Sequence, residues 1–342
     1  MPVEFAPLNI PLERRLQTFG VIYVLHQAWA FTWLCMALCV YLVANSSRDN
    51  YFMGTWLPMA YVVWYCYDFN QDERGGRRSQ SLRRLPFMRW ARDYFPVRLV
   101  KTADLPADRN YIFGSHPHGI LGGCSVLNFA TEATDFSNVF PGIVPHLLTL
   151  RINFYLPFYR EVMLLFGTCA ASKASLQWIL SRKGKGNAAI LVVGGAQEAL
   201  DAHRGADYVL TLKSRKGFIK QALQNGADLV PVFCFGENDL YRQVDNPRGS
   251  KLRTMQEAIK RIVSFSPPLF SGRGIFQYSY GYLPFRSPMT CVVGAPIAVE
   301  RTPNPTLEQI EALHGRYVKE LTDLFEKHKD SCGEATRQLI IV

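Results

Sequence analysis

The chain has 342 residues, a formal net charge of +10 and a mean hydropathy of -0.02. With 48% hydrophobic and 19% charged residues it is a globular composition, which excludes disorder, and the near-neutral hydropathy excludes a wholly lipid-embedded protein. No zinc-finger or homeodomain spacing appears, and no basic run alternates with exposed aromatics, so nucleic acid is not the expected reason for the charge.

Residues 1–19 read as a cytosolic N-terminal segment. Gly20–Ala44 then runs for 25 residues without Asp, Glu, Lys or Arg. As a helix it spans about 37 Å at about 1.5 Å per residue, enough to cross a bilayer. A secretory signal is excluded by the length of the run and the lack of a small-residue cleavage site. A second uncharged run, Tyr51–Tyr67, is rich in Trp and Tyr, which suit a membrane interface. The short link Asn45–Asn50 makes the pair, residues 20–67, a spanning or re-entrant hairpin. Arg74, Arg77, Arg78, Arg83 and Arg84 after it place that side, and with it the N-terminus, in the cytosol. The sequon Asn45-Ser46-Ser47 lies against the membrane edge and is expected to stay unmodified. The alternative is two buried helices of a soluble core.

Between Phe69 and Lys101 nine Lys or Arg stand against three acids. Leu82–Arg92 mixes apolar and Arg residues, and either lies in the headgroup plane or is a solvated linker, so 68–100 is assigned as a basic interfacial linker. The eight cysteines, Cys35, Cys39, Cys66, Cys124, Cys169, Cys234, Cys291 and Cys332, include no C-x-x-C pair. Most sit in apolar runs, which argues against a disulfide framework and for a reducing compartment.

From residue 101 to 342 short apolar strands alternate with helical stretches, which predicts an α/β domain, a sheet covered by helices. Strands are expected at Tyr111–Phe113, Ala188–Val193, Leu229–Phe235 and Thr290–Val293. Helices are expected near Ile120–Ala130, Lys216–Asn225 and Thr306–Lys329.

His116-Pro117-His118-Gly119 follows the first of these strands. Pro117 fixes its own φ and holds His116 extended, and Gly119 permits a tight turn. Two imidazoles are therefore held rigidly at a strand end, where α/β ligand sites collect. Imidazole titrates near 6.5 and suits a general base for an acceptor hydroxyl. Backbone N–H groups at the following helix start would meet the oxyanion. Half of a metal site, or two loop histidines satisfied by backbone, remain as other readings. A serine hydrolase is disfavoured because no G-x-S-x-G occurs; Gly123-Cys124-Ser125-Val126-Leu127 lacks the last Gly.

Several further blocks carry a resemblance: Tyr94-Phe95-Pro96, Phe140-Pro141-Gly142, Val193-Gly194-Gly195-Ala196-Gln197-Glu198-Ala199-Leu200, Arg215-Lys216-Gly217-Phe218, and Val230-Pro231-Val232 continuing to Phe235-Gly236-Glu237-Asn238-Asp239. With the histidine run they resemble the family of monoacylglycerol acyltransferases and type-2 diacylglycerol acyltransferases, over roughly Val3 to Cys332. The resemblance implies transfer of a fatty acyl group from acyl-CoA, a substrate rather than a cofactor, to an acylglycerol hydroxyl. It also implies endoplasmic reticulum and lipid-droplet membranes, and a fold distantly related to the glycerolipid acyltransferases. Those relatives carry an Asp separated by four residues from their catalytic His; here Leu121 and Gly123 stand at that offset from His116 and His118. Another group must orient the base, and Glu198 is the candidate, unless it is only a helix-N-terminal carboxylate. The phosphate-binding Arg of those relatives has no counterpart in Gly194–Leu200, which fits a neutral acceptor. Arg215 and Lys216 either meet CoA phosphates or form a solvated basic turn. Glu237 and Asn238 line the pocket or cap a turn. Ser115 and Cys234 depart from the family's usual residues. No metal is expected. His118 is placed slightly ahead of His116 as base. The N-terminal Val3–Leu8 run points to the monoacylglycerol branch. The alternatives are diacylglycerol as acceptor, or a non-enzymatic lipid-droplet tether; a homo-oligomer is left open.

Overall fold

The first uncharged run lies inside a longer helix. In the computed structural model, which describes residues 3–46, 52–182, 184–263 and 267–342, helix α1 runs from Leu12 to Ala44, 33 residues. Helix α1 begins within the N-terminal segment 1–19, and Glu4 and Ala6 are hydrogen-bonded to residues 276–279. An 18-residue window of α1 has mean hydropathy 1.6 and is 11% buried, and α1 is the one helix long and apolar enough to cross a membrane among the described residues. The second run becomes a π-helical turn, Phe52–Trp56, and helix α2, Leu57–Tyr67. Eleven residues of helix reach roughly 16 Å at about 1.5 Å per residue, half of a hydrocarbon core. Residues 47–51, with most of the link and Ser47 of the sequon, lie outside the described residues.

The stretch 68–100, assigned as a basic interfacial linker, packs into the domain. Helix α3, Pro86–Tyr94, buries Met88, Ala91 and Tyr94. It crosses α1 so closely that a Cβ at Gly20 would lie 2.7 Å from Phe87 O and Ala91 N. Arg83 does not face lipid. It is fully buried and donates to the carbonyls of Ala130, Phe166, Phe129 and Thr131. Arg77 pairs with Asp68 and Glu161, and Arg78 with Glu132. Of the five arginines read as markers of membrane orientation, these three have internal partners, and Arg74 and Arg84 remain exposed.

The sheet has seven strands: β1 Arg98–Lys101, β2 Tyr111–His116, β3 Val144–Thr149, β4 Cys169–Ala170, β5 Asn187–Val192, β6 Asp228–Phe235 and β7 Thr290–Val293. Their order is β1-β7-β6-β2-β5-β3-β4. All pairs are parallel except β7 with β6. The expected strands are present; β2 and β6 run longer than expected, and β1 already belongs to the sheet before residue 101. Buried parallel strands read as continuous apolar runs, which made β2, β5 and β6 visible, whereas β3, with Pro145 and His146, was not anticipated.

Residues of β2 alternate between two cores. Tyr111 and Phe113 pack on one face with Cys124, Leu127, Phe136 and Tyr94. Ile112 packs on the other, with residues of helix α4, Gly217–Asn225, and helix α6, Leu307–His328. Thr306 caps α6 in a reciprocal pair with Gln309, so this helix starts where the sequence places it. Helix α5, Lys251–Val263, was not anticipated. The helix expected over 120–130 starts only at Gly123 and continues as a π-helical turn, Val126–Ala130. All six residues of central strand β2 are buried, and the strand delivers His116 at its carboxyl end.

Candidate active site

The alternation of β2 sends Ile112, Gly114 and His116 to the α6 face. There Gly114 leaves room for a side chain: a Cβ would fall 1.9 Å from the Tyr317 hydroxyl. Tyr317 donates to the Gly114 carbonyl at 3.1 Å. With its proton so committed, the hydroxyl accepts from His116 Nε2–H at 3.0 Å. His116 is completely buried, and its Nδ1 has no hydrogen-bond partner. Burial pushes its pKa down to about 3, so the ring stays neutral. Its contribution to stability is whole above about 6.5 and is lost as pH falls toward 3, because only the unfolded ring takes up a proton in that window.

Past Pro117 the chain leaves the strand, and His118 is half-buried rather than sealed. Its Nδ1–H donates to the Gly119 carbonyl at 3.0 Å. A carbonyl only accepts, so this bond selects the tautomer whose lone pair is on Nε2. Burial lowers the pKa of this ring too, keeping it in the neutral form. Gly119 turns the chain at φ +60, and a Cβ there would meet Glu237 Cγ at 2.4 Å. No other residue type fits both demands.

Two buried carboxylates hold this turn from its two ends. Glu198, on the short helix Ala196–Ala199, accepts from the His118 backbone N–H and from the Thr211 N–H, each at 2.9 Å. Glu198, the candidate for orienting the base, therefore meets the main chain of His118 and not its imidazole. Burial raises it to about 7, against the two N–H donors, which lower it. Glu237 accepts from the N–H groups of Gly123 at 2.9 Å and Cys124 at 2.7 Å. Burial raises this carboxyl to about 8. Glu237 thus caps the helical segment that follows the histidine turn, rather than the turn at the end of its own strand, and it occupies the helix-start donors expected to bind an oxyanion. At the other end of the same helical segment, Arg83 takes the carbonyls of Phe129 and Ala130. The carboxyl thus satisfies end N–H groups and the guanidinium end carbonyls of one segment.

The remaining candidates scatter. Arg215 is exposed and reaches the Gly194 carbonyl at 3.4 Å. Lys216 is bonded to Glu311. Asn238 is buried, with Oδ1 unpartnered. Sequence reasoning missed Tyr317, which no local pattern marks. It also missed that Cys124, Cys234 and Cys291 converge, their Sγ atoms within 4.8 Å of one another. They form the only His/Cys/Asp/Glu group compact enough for an ion among the described residues, and neither histidine of the turn belongs to it. Ser115 Oγ contacts Ser125 Oγ at 2.8 Å and Cys234 Sγ at 3.7 Å, so both departures from the family pattern sit behind the turn. Removing the Tyr317 hydroxyl (Tyr317→Phe) leaves His116 Nε2–H unpaired in the core. It is expected to cost about 1–3 kcal/mol, read as a lower Tm of the detergent-solubilised protein; an unchanged Tm would mean that the bond does not support the turn.

Fold and turn together define an α/β protein whose histidine turn stands at the carboxyl end of a central parallel strand, the place where ligands collect in such sheets. The chain belongs to the diacylglycerol acyltransferase family, whose model matches residues 50–342. It is 46% identical to 2-acylglycerol O-acyltransferase 1 of Bos taurus, over 100% of this chain and 99% of that one. Diacylglycerol O-acyltransferase 2 of Dictyostelium discoideum is 45% identical over 97% of each. The crystal structure of the 1-acyl-sn-glycerophosphate (LPA) acyltransferase PlsC from Thermotoga maritima is similar at a TM-score of 0.38 and 12% identity, covering 92% of this chain and 96% of that one, and that likeness carries no argument.

Proposed function

We propose that the protein transfers a fatty acyl group from acyl-CoA to a free hydroxyl of 2-monoacylglycerol, giving diacylglycerol. The observation that carries this reading is the half-buried His118, with Nε2 unprotonated at the end of β2, in a chain so similar over its full length to 2-acylglycerol O-acyltransferases. His118 Nε2 removes the acceptor proton, and the alkoxide oxygen attacks the thioester carbonyl. The tetrahedral intermediate collapses with cleavage of the C–S bond. The CoA sulfur leaves with the proton held by the imidazolium, so no covalent acyl-enzyme and no cofactor enter. The N–H groups of Gly119 and Ile120 make no hydrogen bond among the described residues, and are the donors assigned to the oxyanion. His116 and Glu198 are positioning residues: one ties the strand end to Tyr317, the other ties the turn to the loop at Thr211. Arg215, exposed beside Gly194, is retained for the CoA phosphates; Lys216 is already paired with Glu311.

The membrane reading goes with it. Gly54 packs against the Leu42 carbonyl and Ser46, where a Cβ would approach to 2.6 Å, which supports a hairpin of the two apolar segments. Its second arm is short and leans on the domain through Tyr61, stacked on Phe158, and Tyr65, bonded to the Tyr155 carbonyl, which suits a re-entrant arm. In this reading the protein sits in the endoplasmic reticulum membrane and on lipid droplets, with the sheet domain toward the cytosol and its acceptor arriving from the bilayer.

Purified full-length protein with labelled acyl-CoA tests the function. Labelled diacylglycerol from 2-monoacylglycerol is expected. Faster labelling of diacylglycerol to triacylglycerol would overturn the acceptor, and no labelled glyceride from either would favour a tether.

A further inference from the structure

The N-terminal segment folds back beside the start of α1 and, with residues 273–286, encloses a cavity of about 730 Å³. Apolar side chains, among them Phe5, Leu8, Phe19, Ile22 and Phe276, make most of its wall. Four arginines line it as well: Arg14, Arg15, Arg273 and Arg286. No Asp or Glu is among the lining residues.

The arginines bond only to neutral acceptors among the described residues. Arg286 donates to Gln17 Oε1 at 2.6 Å, the Arg14 carbonyl at 2.9 Å and Thr18 Oγ1 at 3.1 Å. Arg15 reaches the Leu8 carbonyl at 3.4 Å. Arg273 is only 9% exposed, yet donates solely through Nε, to the Gly274 carbonyl at 3.2 Å. Its two terminal nitrogens have no hydrogen-bond partner among the described residues. The acid in the first turn of α1, Glu13, is held by Gln17 Nε2 at 3.2 Å. The guanidinium planes of Arg286 and Arg273 lie 4.1 Å from the ring centres of Tyr94 and Tyr278. The rings hold them in place but leave their charge uncompensated. Burial, with Arg14 and Arg273 adding repulsion, presses Arg286 down to about 10. Gathering like charges in an apolar wall is unfavourable unless an anion joins them. Fixed guanidinium forks suit the paired oxygens of a phosphate better than a halide or a single carbonyl.

The wall and the place decide which phosphate. The cavity lies at the foot of α1, from Arg14 to Ile22, where its uncharged stretch begins, which is headgroup depth if α1 enters a bilayer. Around its mouth Phe5, Leu8 and Phe276 are 74%, 94% and 81% exposed. Such a rim is costly in water and suits the acyl boundary of a membrane. None of the residues of the histidine turn, nor Glu198 or Glu237, lines the cavity.

We propose that this cavity binds an anionic phospholipid of the host membrane, with its phosphate on Arg273 and Arg286 and its acyl chain along Phe19, Ile22 and Phe276. The site rests on the membrane reading of α1 and is independent of the catalytic assignment. Its probe is dioleoyl phosphatidate added to the full-length protein in neutral detergent, with bound lipid counted by native mass spectrometry. One tightly held phosphatidate per chain is expected, with phosphatidylcholine binding far more weakly. The pair Arg273→Gln and Arg286→Gln is expected to weaken phosphatidate at least about tenfold, while acyl transfer in neutral micelles stays near wild type. Because Arg286 also braces α1, Phe276→Glu supplies a second variant on an exposed rim, where the new charge should repel the lipid without breaking a bond. Equal binding of phosphatidate and phosphatidylcholine, or undiminished binding in both variants, would overturn the proposal. So would displacement by millimolar inorganic phosphate, which would assign the arginines to a free anion, or stoichiometric displacement by acyl-CoA, which would assign them to the substrate. Loss of acyl transfer in wild type with phosphatidate binding intact would count against the catalytic reading alone.

Discussion

Replacing His118 with alanine is expected to lower the rate of acyl transfer by about 10²–10⁴-fold, the usual contribution of a general base, with folded protein retained. The side chain makes one hydrogen bond, to the neighbouring Gly119 carbonyl, and is half-buried, so little of the core depends on it. The turn is held through its main chain, by Glu198 at His118 N–H and by Glu237 at the next helix, and those bonds survive the substitution. His116→Ala should behave differently. It empties a fully buried position and removes the partner of Tyr317, so abundance and Tm should fall first, and the rate per folded molecule less than in His118→Ala. Labelled acyl transfer in microsomes, normalised to folded protein, separates the two. If His116→Ala loses the whole rate at unchanged Tm while His118→Ala keeps it, the base is His116.

Glu198→Gln is expected to cost roughly 10–100-fold in rate, through displacement of the turn rather than loss of a reacting group. The carboxylate accepts two backbone N–H groups at once, and an amide can accept only one of them and points its own N–H₂ at the other. Either His118 or Thr211 is then left with a buried unpaired donor. The pH profile distinguishes positioning from mere destabilisation. Glu198, raised to about 7 by burial, accepts both donors only when ionised. The wild-type rate should therefore fall as pH drops through about 7, with protonation of the His118 ring following at lower pH, since burial holds that ring below the ordinary imidazole value. In Glu198→Gln the first decline disappears and the second remains. The sign for stability is opposite. A carboxyl with a raised native pKa stabilises most below its unfolded value near 4.5 and loses that contribution as pH rises through about 7. A Glu198→Gln profile that keeps the decline near 7 would remove Glu198 from the turn.

Much of this architecture was legible because the reporters are local. The apolar runs of β2, β5 and β6 are continuous, as both faces of a parallel strand are covered. Thr306 and Gln309 announce the start of α6. Pro117 and Gly119 announce a rigid turn. The start of α1 was hidden, because Leu12 to Phe19 is charged and amphipathic and follows Pro11, so the helix outruns the apolar stretch that marked it. The arginines after residue 70 read as a membrane signal, yet Arg77, Arg78 and Arg83 hold distant segments together. Composition counts charge but not partners.

The sequence by itself determined the histidine turn, the strand that carries it and the family to which the chain belongs, since these depend on residues within a few positions of one another. Only the tertiary structure decided what each residue of the turn meets. His118 finds Glu198 across 80 residues, Gly123 finds Glu237 across 114, and His116 finds Tyr317 across 201. The His116 pairing follows from the face of β2 that the residue takes, and the other two from the strand order that brings Glu198 and Glu237 to the end of β2; burial favours partners for the polar groups there, and the sheet sets which are within reach.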